Sequence, residues 1–132
     1  MRAVDTNVLV RLLTRDDDHQ VAAAERFVAR GAWVSQLVLA ETTWVLSSVH
    51  ELTPSALATA IDMLLGHAHL TIQDADVVAA ALHRFRAGTA VDFTDCLALE
   101  IARKAGHLPL GTFDRTLARL DGAEALTGRG TQ

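Results

Sequence analysis

The sequence predicts an α/β fold in which short parallel strands are wound with helices. Three observations carry this. Short strand-like runs alternate with longer runs whose apolar residues recur at helical spacing. The opening stretch Met1-Arg2-Ala3-Val4-Asp5-Thr6-Asn7 reads as a strand that passes straight into a helix, with a carboxylate at the junction. Alanine is abundant, tyrosine is absent and only 2 prolines occur, so helix should dominate. The length of 132 residues suits one domain, read as 1–132, and 50% hydrophobic residues are enough for one core.

Composition narrows the class. No apolar run reaches the roughly 18 residues of a membrane span, and no basic-then-apolar leader opens the chain. The single cysteine, Cys96, rules out an internal disulfide. These features predict a soluble, cytoplasmic protein without a membrane partner. A net charge of −4 provides no basic footprint for nucleic acid. Acidic residues gathered around metal ions would invert the local sign.

The elements follow in order. Strand one is read as Arg2 to Asp5, and the next helix as Thr6 to Thr14 on the spacing of Val8, Leu9, Leu12 and Leu13. Asp5 is either the cap of that helix, with Thr6 and Asn7 as rivals, or a ligand-facing acid beyond the carboxyl end of a strand. Asp16-Asp17-Asp18-His19 precedes a helix over Gln20 to Arg30 and reads as a solvated cap. Ala32 to Ser35 is strand two, and Ser35 caps a helix over Leu37 to Val49 that is apolar on nearly every side and therefore predicted buried. Glu41 lies inside its stripe, where an ionised carboxylate needs a partner or must reach the surface.

Thr53-Pro54 opens a helix to Leu65, and Leu70 to Ile72 is a strand preceded by His67 and His69, read as surface histidines. Asp74 caps a helix over Ala75 to Ala87 with His83, Arg84 and Arg86 outward. In Val91-Asp92-Phe93-Thr94-Asp95, Asp92 fits the N-cap and Asp95 the third helical position, a capping box with Asp in place of Glu. Asp95 also precedes Ala98, Leu99 and Ala102 at helical spacing, on an apolar side that capping does not require. Leu97, Ala98, Ile101, Ala102 and Ala105 are read inward, and Glu100, Arg103 and Lys104 outward. Leu108 to Thr112 is a strand and Thr116 to Leu120 a short helix, with Asp114 at the junction as Asp5 is at the first. Glu124 to Leu126 is a last short strand, and 127–132 a frayed tail.

In a parallel sheet, strand carboxyl ends and helix N-termini share an edge. Asp5, Asp95 and Asp114 are expected there, with Glu41 in reach. Carboxylates packed together raise one another's pKa, and hard divalent cations relieve this. No cysteine set for structural zinc is available. No Ser-His-Asp or Cys-His arrangement can be placed in one site.

The ordered motifs Val4-Asp5-Thr6-Asn7, Leu39-Ala40-Glu41, Asp92-Phe93-Thr94-Asp95-Cys96-Leu97-Ala98 and Gly111-Thr112-Phe113-Asp114 resemble a PIN domain. More narrowly they are similar to the VapC-type toxins of prokaryotic type II toxin–antitoxin pairs. The resemblance implies a three-layer α/β/α fold with a central, mainly parallel sheet of four or five short strands. It implies a Mg²⁺- or Mn²⁺-dependent endoribonuclease, inhibited by a small cognate VapB-type antitoxin. The family's acidic quartet carries onto Asp5, Glu41, Asp95 and Asp114 as catalytic and metal-ligating residues. Thr112 corresponds to the hydroxyl residue ahead of the last acid, with Thr6 and Asn7 supporting; Asp92 is a fifth site acid or a plain cap. Metal-held water would attack the phosphodiester, leaving a 5′-phosphate and a 3′-hydroxyl. Arg11, Arg15 and Arg115 are candidates for RNA phosphate contacts.

The resemblance also implies a homodimer or a higher toxin–antitoxin assembly. The early helices carry apolar residues in excess of one core face, including Val21, Phe27, Val28, Leu46 and Val49, which an antitoxin tail would cover. Two rivals remain: the same fold as a non-catalytic binding partner, and a phosphatase-like hydrolase. The latter wants a second Asp two residues after Asp5, where this chain has Asn7.

Overall fold

The computed structural model describes residues 1–88 and 90–128. The chain falls into two compact units, Met1–Ala75 and Asp76–Gln132.

In the first unit, β1 (Arg2–Ala3) is followed by α1 (Thr6–Thr14), α2 (Asp18–Val28), β2 (Ala32–Val34), α3 (Gln36–Ser48), α4 (Pro54–Leu65) and β3 (Leu70–Ile72). The strands pair in parallel in the order β1-β2-β3, with Ala3 opposite Trp33 and Val34 opposite Ile72. Pairing continues past β1, because the Val4 N–H donates to Trp33 O at 3.1 Å. Asp5 then leaves the ladder to cap α1. Each helix start has a local cause. Asp17, Ser35 and Thr53 accept the N–H of Gln20, Val38 and Ala56 respectively, and Pro54 occupies the first turn of α4. The Asp17 cap starts α2 at Asp18, two residues earlier than the spacing of apolar residues suggests.

α1 packs on α2 and α3, and α3 on α4. Leu9, Val34, Leu39, Leu46 and Ile61 are fully buried there. Val21, Val28 and Leu46, expected to be surplus apolar surface, are core residues. α3 is not buried all round. Leu39, Thr42, Thr43 and Leu46 form its inner face, while Leu37, Trp44 and Val49 are 71%, 63% and 64% exposed. The buried threonine hydroxyls donate to carbonyls one turn back, Thr42 to Val38 O at 2.7 Å and Thr43 to Ala40 O at 2.8 Å, so neither is left unsatisfied.

In the second unit, α5 (Ala75–Arg86), α6 (Phe93–Ala105), β4 (Leu110–Thr112), a 3₁₀ turn (Leu117–Arg119) and β5 (Ala123–Ala125) follow in order. β4 and β5 are parallel, with Gly111 opposite Glu124. β4 begins after Pro109, which has no N–H to give a ladder. α6 ends at Gly106, whose left-handed φ of +83° lets its N–H reach Ala102 O and Arg103 O. Val78, Ala81, Cys96 and Leu99 are fully buried. One outward and three inward expectations fail here: Glu100 is only 6% exposed and lies between Arg84 and Arg103, whereas Ala98, Ile101 and Ala105, expected inward, are exposed. The turn that buries Cys96 and Leu97 also buries Glu100, at i+4 and i+3 from them. No helix among the described residues is long and apolar enough to cross a membrane. Within the expected tail, 129–132 lie outside the described residues.

Candidate active site

In the first unit, Asp5 is the N-cap of α1, and its Oδ1 accepts the Val8 N–H at 3.2 Å. That bond occupies one of several lone pairs on the carboxylate, so capping and ligand binding are compatible. Thr6, the first residue of α1, donates from Oγ1 to Glu41 Oε2 at 3.0 Å. Glu41 is exposed rather than sunk in an apolar stripe, because it lies on the outer side of α3 with Leu37 and Trp44. Among the described residues it is held by a hydroxyl, not by an arginine.

Asn7 is exposed and lines a groove of about 340 Å³ between α1 and α2, together with Val8, Arg11, Gln20, Ala24 and Phe27. Arg11 is already engaged. Its Nη1 pairs with Asp16 Oδ1 at 2.8 Å, and its Nε donates to Gln20 Oε1. Arg15 pairs with Glu25 at 3.4 Å on an open surface, where such a pair is worth little.

In the second unit, Asp92 is the N-cap of α6 by backbone conformation, but its side chain makes no capping bond. The expected capping box is therefore absent. Asp95 sits in the first turn of α6, half-buried. Its carboxyl is held above the usual 3.8, first by burial and then by the negative charges of Asp92 and Asp114. Asp114 follows β4 on a pinned turn. Its Oδ1 accepts the N–H of Thr116 at 2.8 Å and of Leu117 at 3.2 Å, while its own N–H donates to Thr112 Oγ1 at 2.9 Å. The hydroxyl ahead of the last acid thus fixes the backbone of that acid. Arg115 is exposed beside it.

Cys96 follows Asp95 but is buried, and its thiol is pushed up to about 11 by burial and by the charges of Asp95 and Glu100. It is no nucleophile at neutral pH. The group that sequence reasoning missed is Glu100, whose Oε2 lies 3.4 Å from Arg84 Nε and Oε1 3.3 Å from Arg103 Nε. The Glu100–Arg103 spacing of three was the available signal; the Arg84 partner comes from another helix.

The candidate ligands in each unit are oxygen donors, carboxylates with threonine hydroxyls near them, a chemistry that suits a hard cation such as Mg²⁺ or Mn²⁺. The like-charge repulsion on Asp95 is the electrostatic condition that a cation relieves. As the side chains stand, no three His, Cys, Asp or Glu among the described residues form a group that could hold an ion.

The parallel α/β architecture, with Asp5 and Asp114 after strands and Asp95 in the first turn of α6, suits one family of folds. Residues 2–123 match the PIN domain family, a span that takes in both units, and the chain belongs to that family. PIN domains are generally nucleases that use divalent metals and bind RNA. Comparison with curated proteins returned no match, nor did comparison with solved structures.

Proposed function

We propose that the protein is a metal-dependent endoribonuclease, the toxin of a toxin–antitoxin pair, in which Asp5, Glu41, Asp95 and Asp114 act together on one phosphodiester. The observation that carries this reading is Asp95. Its carboxyl is raised by burial and by two neighbouring acids, Asp92 and Asp114, the kind of perturbation that clusters at functional sites. Family membership and the order of the four motifs support the same assignment.

Bound Mg²⁺ or Mn²⁺ would activate water and neutralise charge developing on the phosphate. The chain's own groups do the positioning. Asp5 and Asp95, with Asp92 as a fifth acid, present oxygens from the first turns of two helices or their caps. Thr6 orients Glu41 through its hydroxyl, and Thr112 orients Asp114 through the backbone. Arg115 is the first choice for a phosphate contact, because Arg11 and Arg15 have intramolecular partners.

The groove between α1 and α2 supports the partner half of the reading. Its walls are largely apolar, with Asn7, Arg11 and Gln20 as polar groups, which suits an apolar side chain from a VapB-type antitoxin. The exposed Leu37, Trp44 and Val49 on α3 support a homodimer or larger assembly. The test is cleavage of labelled RNA by the purified protein. Cleavage that needs Mg²⁺ or Mn²⁺, stops in EDTA and leaves 5′-phosphate ends is expected. Cleavage that persists in EDTA overturns the metal-dependent reading.

A further inference from the structure

Phe113 is 71% exposed in a chain with only 4 phenylalanines and no tyrosine. The other three are engaged. Phe85 and Phe93 meet edge to face with ring centroids 5.9 Å apart, and the Phe27 ring lies 3.7 Å from the Arg2 guanidinium carbon. Among the phenylalanines only Phe113 is left in water, more exposed than Trp44 at 63%, and its sequence neighbours are Thr112, Asp114 and Arg115.

The ring stands on a fixed backbone. The Asp114 N–H donates to Thr112 Oγ1 at 2.9 Å, which closes the chain across Phe113. Asp114 Oδ1 holds the next turn through Thr116 and Leu117, and the Leu126 N–H donates to Thr112 O at 2.8 Å. A ligand that covers the ring therefore has little backbone left to order. Three consecutive residues then offer an exposed π-face, a carboxylate and a guanidinium.

That combination matches one nucleotide unit. A nucleobase stacks on an aromatic ring in sequence-tolerant fashion, and its phosphate takes a guanidinium. A base inside a duplex is already stacked on both sides, so the occupant must be unpaired. An apolar protein segment is the poorer fit, because polar residues flank the ring on both sides in the chain.

We propose that Phe113 is a stacking platform for an unpaired nucleobase adjoining the phosphate that is cut, with Arg115 on that phosphate. The inference rests on the nuclease reading of Asp114 and adds a residue that holds the base beside the cut.

The experiment compares wild type with Phe113→Ala, Phe113→Leu and Phe113→Trp. Binding of a fluorescein-labelled single-stranded oligoribonucleotide is read by anisotropy with Ca²⁺ in place of Mg²⁺. Loss of the ring should weaken binding roughly tenfold or more in the Ala and Leu variants, while Trp restores it. In cleavage assays the Ala variant should raise KM and leave kcat nearly unchanged. Abasic nucleotides placed along the substrate should reveal one position where loss of the base harms wild type but adds nothing to the Ala variant.

Equal binding by wild type and the Ala variant overturns the platform, as does strict additivity at every abasic position. Failure of wild type to bind any single-stranded RNA also overturns it. RNA binding that depends on Phe113 without cleavage in Mg²⁺ or Mn²⁺ leaves the platform standing and removes the nuclease reading. Cleavage indifferent to Phe113 does the reverse. Unchanged RNA binding with weaker capture of a protein partner reassigns the ring to that partner and overturns the proposal.

Discussion

Thr6 Oγ1 donates to Glu41 Oε2 at 3.0 Å and so ties the first turn of α1 to the middle of α3. Thr6 directly follows the capping acid Asp5, so one short stretch places one acid and restrains another. Thr6→Val should release Glu41 and lower kcat roughly ten- to hundredfold through misplacement of a single group. Stability should change by less than about 1 kcal/mol, because the bond is exposed. Thr6→Ser should keep most of the activity. Steady-state cleavage and thermal melts of the two variants check this; a fully active Val variant would remove Thr6 from the site.

Asp95 stores repulsion in the metal-free protein. Its folded carboxyl lies above 3.8 through burial and through Asp92 and Asp114, so the folded state binds the proton more tightly than the unfolded chain does. The ionised carboxylate therefore costs stability above that raised value; the cost shrinks as pH falls and is gone only well below 3.8, where both states are protonated. Asp95→Asn should raise the melting temperature in EDTA at pH 7. The gain should shrink as pH falls through the raised value and vanish only well below 3.8. Asp16 and Asp76 titrate with the opposite sign. The Thr14 hydroxyl holds the first low and Lys104 holds the second low, so what they contribute is lost as pH falls through their lowered values. Paired melts of wild type and the Asn variant across pH isolate Asp95.

Glu100 is the buried hinge of an ion-pair cluster, 7% exposed in its side chain against 31% for Arg84 and 32% for Arg103. Arg103 Nη2 also donates to Asp121 O at 2.6 Å, so the cluster reaches the turn before β5. Loss of one arginine leaves Glu100 with the other, and loss of Glu100 strips both arginines. Glu100→Ala should cost about 2–3 kcal/mol in urea unfolding, more than either Arg84→Ala or Arg103→Ala. Equal small losses in all three variants would refute the hinge.

Cys96 is fully buried, with its thiol at about 11. A thiol reagent at pH 8 should react with it only through global opening, and the rate should rise together with denaturant-induced unfolding. Rapid reaction in native buffer would contradict the burial.

Much of this was readable from local signals. α1 and α4 keep their expected bounds because a cap stands at each start, Asp5 for one and Thr53 with Pro54 for the other. The strand Leu70–Ile72 stands where its apolar run put it. Faces were harder. α3 carries apolar residues on both sides, so its sequence could not separate Leu39 and Leu46, which are core, from Leu37 and Trp44, which face water. Glu100 looked outward because it is charged, and its partner Arg84 is supplied by tertiary structure. Of the candidate acids, Asp5, Asp95 and Asp114 stood out by positions at strand ends or helix starts, and Glu41 by its place within an apolar helix. The bonds that hold them, Thr6 to Glu41 and Asp114 to Thr112, depend on geometry that spacing does not encode.

If Asp5, Glu41, Asp95 and Asp114 serve one metal-holding site as proposed, direct binding of Mn²⁺ reads it out without any RNA. Free Mn²⁺ is followed by electron paramagnetic resonance during titration of wild type, Asp5→Asn, Glu41→Gln, Asp95→Asn and Asp114→Asn. Wild type should bind saturably, Mg²⁺ should compete, and every single variant should bind at least roughly tenfold more weakly, as expected when a carboxylate ligand is lost. Wild-type affinity retained in all four variants, or no saturable binding by wild type, would contradict it.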